Sequence, residues 1–369
     1  VKNKQTIPYK FMKLSVSIFL YLGILAASIS ACKKKKDVLP EGEILLPRTS
    51  TIPDAEYSKK KDILIYVSTN PSQLNVFYTG QNKTDVIPLA FAPMSVSISM
   101  DGNYAVVGHD AHLTHIDLNK KTIINTYDVT CEAFDVVLGN NNWAYVFPKR
   151  DQWQNIHCIN LSNGNESLST GASMYAGSKG KLHPSGKFIY VTNNGLSPSD
   201  IDKYDIQGGK AIWLYDSPYH GDYPIAGDLW FSEDGKRVFV KGQTTLKLSE
   251  EKTTDMTYNG TVGLDTIKNT VDPYKKIFSL DHSAASNKLY AISTDTLYWP
   301  DRPNMPYIWI YDATNLSYQK KIPVKKFAGN SLAVIEPSFV FVNSKGNQIY
   351  VITKETESST SEKWAIQIL

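Results

Sequence analysis

Imidazole and carboxylate stand side by side in Gly108-His109-Asp110-Ala111-His112. Both groups are ordinary ligands for a borderline cation and ordinary acid/base partners. His112 and His115 are three residues apart, however, and on a strand that spacing sends them to opposite faces. No HExxH pattern and no Cys pair adds further ligands, so no metal-ligating set is assigned, and His109 and Asp110 stand as candidates for ligand contact. A second grouping, Asp295-Thr296-Leu297-Tyr298-Trp299-Pro300-Asp301-Arg302-Pro303, crowds Tyr298, Trp299 and Arg302 among prolines. Such a loop is either a rigid platform for a sugar ring, a corrin-like macrocycle or a partner side chain, or an aromatic flap over its own sheet. Arg150 and Trp153, in Lys149-Arg150-Asp151-Gln152-Trp153, and Tyr219 and His220, in Tyr219-His220-Gly221-Asp222-Tyr223-Pro224, mix planar and charged groups that suit a polyol or carboxylate. The sequence contains no GxSxG elbow, P-loop, GxGxxG or CxxC, the short motifs that mark common nucleophiles and phosphate cradles. No catalytic residue and no cofactor is assigned.

The elements that hold these residues repeat. A polar turn followed by a short β-rich strand occurs at 58–69, 100–110, 139–149, 184–194, 233–242, 286–295 and 344–354. A second strand follows each one, at 74–80, 113–119, 156–162, 201–207, 244–250, 308–314 and 364–369. Starts spaced by about 40 to 60 residues fit a four-stranded blade with unequal loops, so the fold class expected is all-β, a seven-bladed β-propeller over residues 54–369. The seventh blade then lacks an outermost strand after its third, and the apolar stretch Glu43-Ile44-Leu45-Leu46-Pro47 is expected to supply it, Pro being tolerated on an edge. Cys131 is expected at the start of an inner strand and Cys158 on the third strand of the same blade. Two strand steps of ~4.8 Å put those backbones beyond disulfide reach, which predicts two free, buried thiols.

Tyr190-Val191-Thr192-Asn193-Asn194, with close variants at Tyr66-Val67-Ser68-Thr69-Asn70 and Tyr350-Val351-Ile352-Thr353, and the Ile-Asp-Leu at 116–118, resemble the YVTN family of β-propellers, related to surface-layer and quinoprotein-like propellers. The resemblance covers about residues 55–369. It implies that the usual ligand face carries the loops between second and third strands, here 70–73, 109–112, 149–155, 193–202, 241–245, 294–307 and 354–363, together with connections between blades such as 219–224. It leaves function open, because this architecture hosts many unrelated activities.

The N-terminus reads as an address. Lys13 precedes an apolar run, Leu14 to Ala27, and small residues end in Ile29-Ser30-Ala31-Cys32, the plan of a secretory signal over residues 1–31, whose start is expected at Val1 or Met12. The site also resembles a bacterial lipobox, which implies a lipid on Cys32, a tether over 32–53 and an outer-membrane lipoprotein facing the periplasm or the cell surface. Net charge is +3 for the chain. Removing four lysines with the signal leaves −1, and setting aside Lys33 to Lys36 and Asp37 leaves −4. That mildly acidic body lacks the basic footprint of a nucleic-acid partner. The leading reading is a binding protein. Lipid-anchored propellers that it resembles in plan capture cobalamin above an outer-membrane TonB-dependent transporter, glycans or partner proteins. The alternatives are an enzyme, either a lactonase-like hydrolase with a dispersed metal site or a lyase, and a structural subunit of an envelope complex.

Overall fold

Each of the seven repeated turns contains one residue with positive φ: Asp62, Gly102, Asn142, Gly186, Gly235, Asn287 and Gly346. That conformation lets a tight hairpin follow the twist of its strands, and Gly, Asn and Asp adopt it at least cost. The apolar strand behind each turn is then fixed in register. In Ile63–Thr69, Ile63, Ile65 and Val67 face the apolar cluster shared with the next sheet, while Leu64 and Tyr66 face the one shared with the last. Period-two alternation therefore sends a continuous apolar run into two different interfaces. Each fully buried side chain contributes roughly 2 kcal/mol.

The protein, seen here in a computed structural model, is described over residues 42–47, 51–193, 196–295, 304–326, 334–358 and 361–369. Residues 40–369 form one compact unit, all-β and without an α-helix among the described residues. Four-stranded antiparallel sheets cover 51–88, 179–216, 229–261 and 275–323. A fifth consists of Val334–Val342, Ile349–Ser358, Ser361–Ile368 and Glu43–Leu45. Residues 95–168 form one seven-stranded sheet, in which the 17-residue strand Thr122–Leu138 pairs with Asp110–Asp117 along its first part and with Trp143–Pro148 along its last. The continuity of Thr122–Leu138 was not expected from the sequence. Apolar clusters join successive sheets, and the one formed by Leu64, Tyr66 and Phe77 with Tyr350, Trp364 and Ile366 joins the first sheet to the last. The sheets thus close a propeller ring.

The outermost position of the last sheet is filled by Glu43–Leu45, with Ile44 opposite Ile366 and Leu45 opposite Ala365. The backbone contact continues at Leu46, whose N–H donates to Trp364 O at 2.9 Å, but the strand itself stops before Pro47. Two other details differ from expectation. The 354–363 loop is no loop, because its strands go on pairing as far as Ser358 and Ser361. Cys131 and Cys158 are free thiols, but Cys131 is only half-buried. Burial pushes the thiols up, to about 12 and about 11.

Candidate functional site

The innermost strand of each four-stranded sheet, Ser95–Ile98 and the last part of Thr122–Leu138 are paired on one side only, and their free N–H groups face the axis of the ring. Side chains from the preceding inner strand accept them. Asp54 and Glu56 accept the N–H of Val96 and Ile98, both at 2.8 Å, and Ser97 that of Leu138 at 3.1 Å. Asp135 accepts that of Gly180 at 3.0 Å, Ser279 that of Val340 at 3.2 Å, and Asp281 that of Val342 at 2.8 Å. Gly180 is required there, since a Cβ would lie 2.2 Å from the Phe147 ring. Caps of this kind replace the partner strand that an edge lacks.

Inside the ring lies a channel of about 720 Å³, bordered by Tyr57, Phe134, Trp230, Phe278 and Phe341 as well as by charged groups. Lys181 meets Glu56 at 2.9 Å, Lys179 meets Asp228 at 3.4 Å, and Lys59 bridges Glu233 at 2.8 Å and Asp281 at 3.0 Å. These side chains keep part of their surface accessible to the channel yet have protein on every side. Burial accordingly raises Asp54, and raises Asp135 to about 6. For Lys181 burial acts downward, but Glu56, Asp135 and Asp54 outweigh it and hold the ammonium well above its usual value. Sequence reasoning missed this channel. The available signal was polar or charged residues at alternate positions of a strand just before a repeated turn: Asp54 and Glu56, Lys179 and Lys181, Ser279 and Asp281.

The loop-rich end holds the residues singled out from the sequence, with different outcomes. His109 is fully buried, with Nδ1 against Ala92 O at 3.1 Å and Nε2 against Thr114 Oγ1 at 3.0 Å. Burial lowers it to about 4. Both nitrogens are spent within the protein, so direct ligand contact does not fit His109. Asp110 is exposed and opens a strand rather than sitting in a loop, and His112 stacks on Phe91 at 3.8 Å. Arg150 is held by Glu132, which Lys149 also meets at 2.7 Å. Trp153 is 56 % exposed. It lies in a two-stranded ribbon, Trp153–Gln154 against Met174–Tyr175, and meets Tyr175 edge-on at 5.7 Å. Tyr219 packs edge-on to Tyr223, which stacks on Tyr258 at 4.2 Å, and Tyr219 Oη accepts the Tyr258 N–H at 3.0 Å. His220 Nδ1 lies 2.9 Å from Asp200 Oδ2. Tyr298, Trp299, Arg302 and the lipid-site candidate Cys32 lie outside the described residues.

The structure therefore keeps two aromatic groups at this end, around Trp153 and around Tyr223, and adds Asp200 and Asp216 beside His220. Sequence reasoning did not flag those two carboxylates, because one precedes a third strand and the other ends a fourth.

No family model matches the chain, and no curated protein sequence is detectably similar to it. Solved structures are similar in fold. The β-propeller domain of Myceliophteria thermophila Cps50 (Swd1) has a TM-score of 0.63 at 11 % identity, over 88 % of this chain and 98 % of that one. Kuenenia stuttgartiensis hydrazine synthase has a TM-score of 0.57 at 13 % identity, over 86 % of this chain and 99 % of that one. At such identity the likeness extends to the fold alone.

Proposed function

We propose that this chain is a lipid-anchored, seven-bladed propeller of the YVTN kind that captures a glycan, a corrinoid-like molecule or a partner protein on its loop-rich end. The single observation that carries the binding reading is Trp153, a large indole more than half exposed on a paired ribbon and braced by Tyr175. A rigid exposed aromatic gives up little entropy on contact, which is why such residues dominate binding energy. The channel argues for binding over chemistry, because its charged groups are engaged with one another and with backbone N–H groups.

Seven blades follow if the sheet of residues 95–168 is two blades that share the strand Thr122–Leu138. Two features favour that count: an apolar cluster between this strand's two halves, in which Tyr127 and Val129 pack with Ala133, Val136 and Leu138 as other clusters join successive sheets, and the seven positive-φ turns. For the anchor, replacing Cys32 with Ser in the full chain is expected to move the protein from the membrane fraction to the soluble fraction, and unchanged membrane retention contradicts lipidation. A TonB-dependent transporter of the outer membrane is the partner that a corrinoid cargo would require.

A further inference from the structure

We propose that Asp200, Asp216 and His220 bind one divalent transition-metal ion of the zinc or manganese kind at the loop-rich end of the 179–216 sheet. One ligand atom from each of the three lies within 4.8 Å of the others; ligands at about 2.1 Å from a single ion stand at most about 4.2 Å apart, so binding draws the exposed Asp216 and His220 side chains in by several tenths of an ångström. The backbone dictates this convergence. Asp202 stands directly opposite Asp216, and Asp200 precedes Asp202 by two residues, so all three carboxylates leave the same face of the sheet. Asp200 Oδ1 accepts the Ile201 N–H at 2.7 Å and the Ser217 hydroxyl at 2.5 Å, which leaves Oδ2 turned to His220. Trp213 Nε1 donates to Asp202 Oδ1 at 2.8 Å and fixes the carboxylate behind the site.

A second, independent feature points to a cation. Asn193 is 6 % exposed, and its Oδ1 is buried with no hydrogen-bond donor among the described residues. Thr192 pairs with Ile201, so Asn193, one residue further, stands across from Asp200 and continues the face that carries the carboxylates. A buried amide oxygen without a donor is costly, and an electron-pair acceptor beside it removes the cost. The charge balance agrees. Channel carboxylates have lysines, whereas among the described residues His220 is the sole basic partner within ion-pair distance of Asp200, and neither Asp202 nor Asp216 has one.

The donor set decides the class of ion. Calcium takes six to eight oxygens and magnesium keeps most of its water, whereas an imidazole joined to two carboxylates suits borderline ions with water completing the shell. This assignment does not rest on the capture reading.

The test is calorimetric titration of the full chain, first stripped with a chelator, with zinc and separately with calcium. One zinc site is expected, with calcium weaker by about a hundredfold or more. His220→Ala and Asp216→Asn should each weaken zinc by about tenfold or more. His112→Ala, at the stacked histidine of another sheet, should leave it unchanged. Both site residues are exposed, and equal melting temperatures without metal will establish that the variants fold. Absence of saturable zinc binding, full retention in either site variant, equal loss in His112→Ala, or calcium binding as tightly as zinc would each overturn the assignment.

Discussion

The channel and the loop-rich end are built from similar residues and use them in opposite ways. In the channel, aromatic rings and charges are turned on one another: Lys181 on Glu56, Lys59 on Asp281, carboxylates on edge N–H groups. At the loop-rich end Trp153 faces solvent, and Asp216 has no basic partner within ion-pair distance among the described residues. Polar groups that satisfy each other hold an assembly together, while groups left over are available to something else. The obvious cavity of this propeller therefore serves the ring, and the capture proposed above falls to the face.

If so, substitutions that break the ring should be felt as lost stability and those on the face should not. The largest effect is expected at the closure. A chain beginning at Thr51 loses Glu43–Leu45 and the burial of Ile44, which should cost about 3 kcal/mol or more in chemical denaturation relative to a chain beginning at Asp37. Equal denaturation midpoints would mean that the last sheet does not need its outer strand. Next comes Lys181→Met, which leaves Glu56 without its ammonium and Asp135 with Lys179 alone. About 2 kcal/mol should be lost, part of the effect being screened by channel water.

A smaller effect distinguishes the closure by pH. Burial and the neighbouring Glu355 raise Glu43 to about 7, with Lys325 and the Gln367 amide offsetting part of the rise. The folded carboxyl therefore holds its proton more tightly than the unfolded one. Its contribution is fully present below about pH 4.5 and is lost as pH rises through about 7. Glu43→Gln should consequently raise the melting temperature at pH 8, by the equivalent of roughly 1 kcal/mol, and leave it unchanged at pH 4. A gain of equal size at both pH values would assign the effect to packing rather than to the proton. Smallest of all is Trp153→Ala, whose effect on stability should stay within about 0.5 kcal/mol because the indole is largely in water.

How much of this was legible in the sequence depended on whether the signal was local. A turn needs one positive-φ residue at one place, so Gly186 in Pro-Ser-Gly and Gly235 in Glu-Asp-Gly announce their hairpins directly. Apolar strands behind them, such as Ile63–Thr69 and Phe188–Thr192, follow with the expected order. The channel was harder, because Glu56 and Lys181 are 125 residues apart and meet only when the ring closes. His109 misled for the opposite reason. Its neighbours Asp110 and His112 suggest a polar loop, but its own ring turns inward to Ala92 and Thr114, and a histidine's direction is set by backbone geometry that residue types do not encode. The Asp200, Asp216 and His220 grouping depends on a third strand, a fourth strand and a connection converging, and spacing along the chain carries no trace of that.

The claim that recognition belongs to the face rather than the channel is tested most directly by one binding comparison. Wild type, Trp153→Ala and Lys181→Met, each verified as folded, are titrated with a panel of glycans and cyanocobalamin. The account predicts that a panel member bound by wild type is weakened about thirtyfold by Trp153→Ala, the equivalent of about 2 kcal/mol, and is held normally by Lys181→Met. Binding that survives Trp153→Ala and disappears in Lys181→Met would contradict it and move the ligand into the channel.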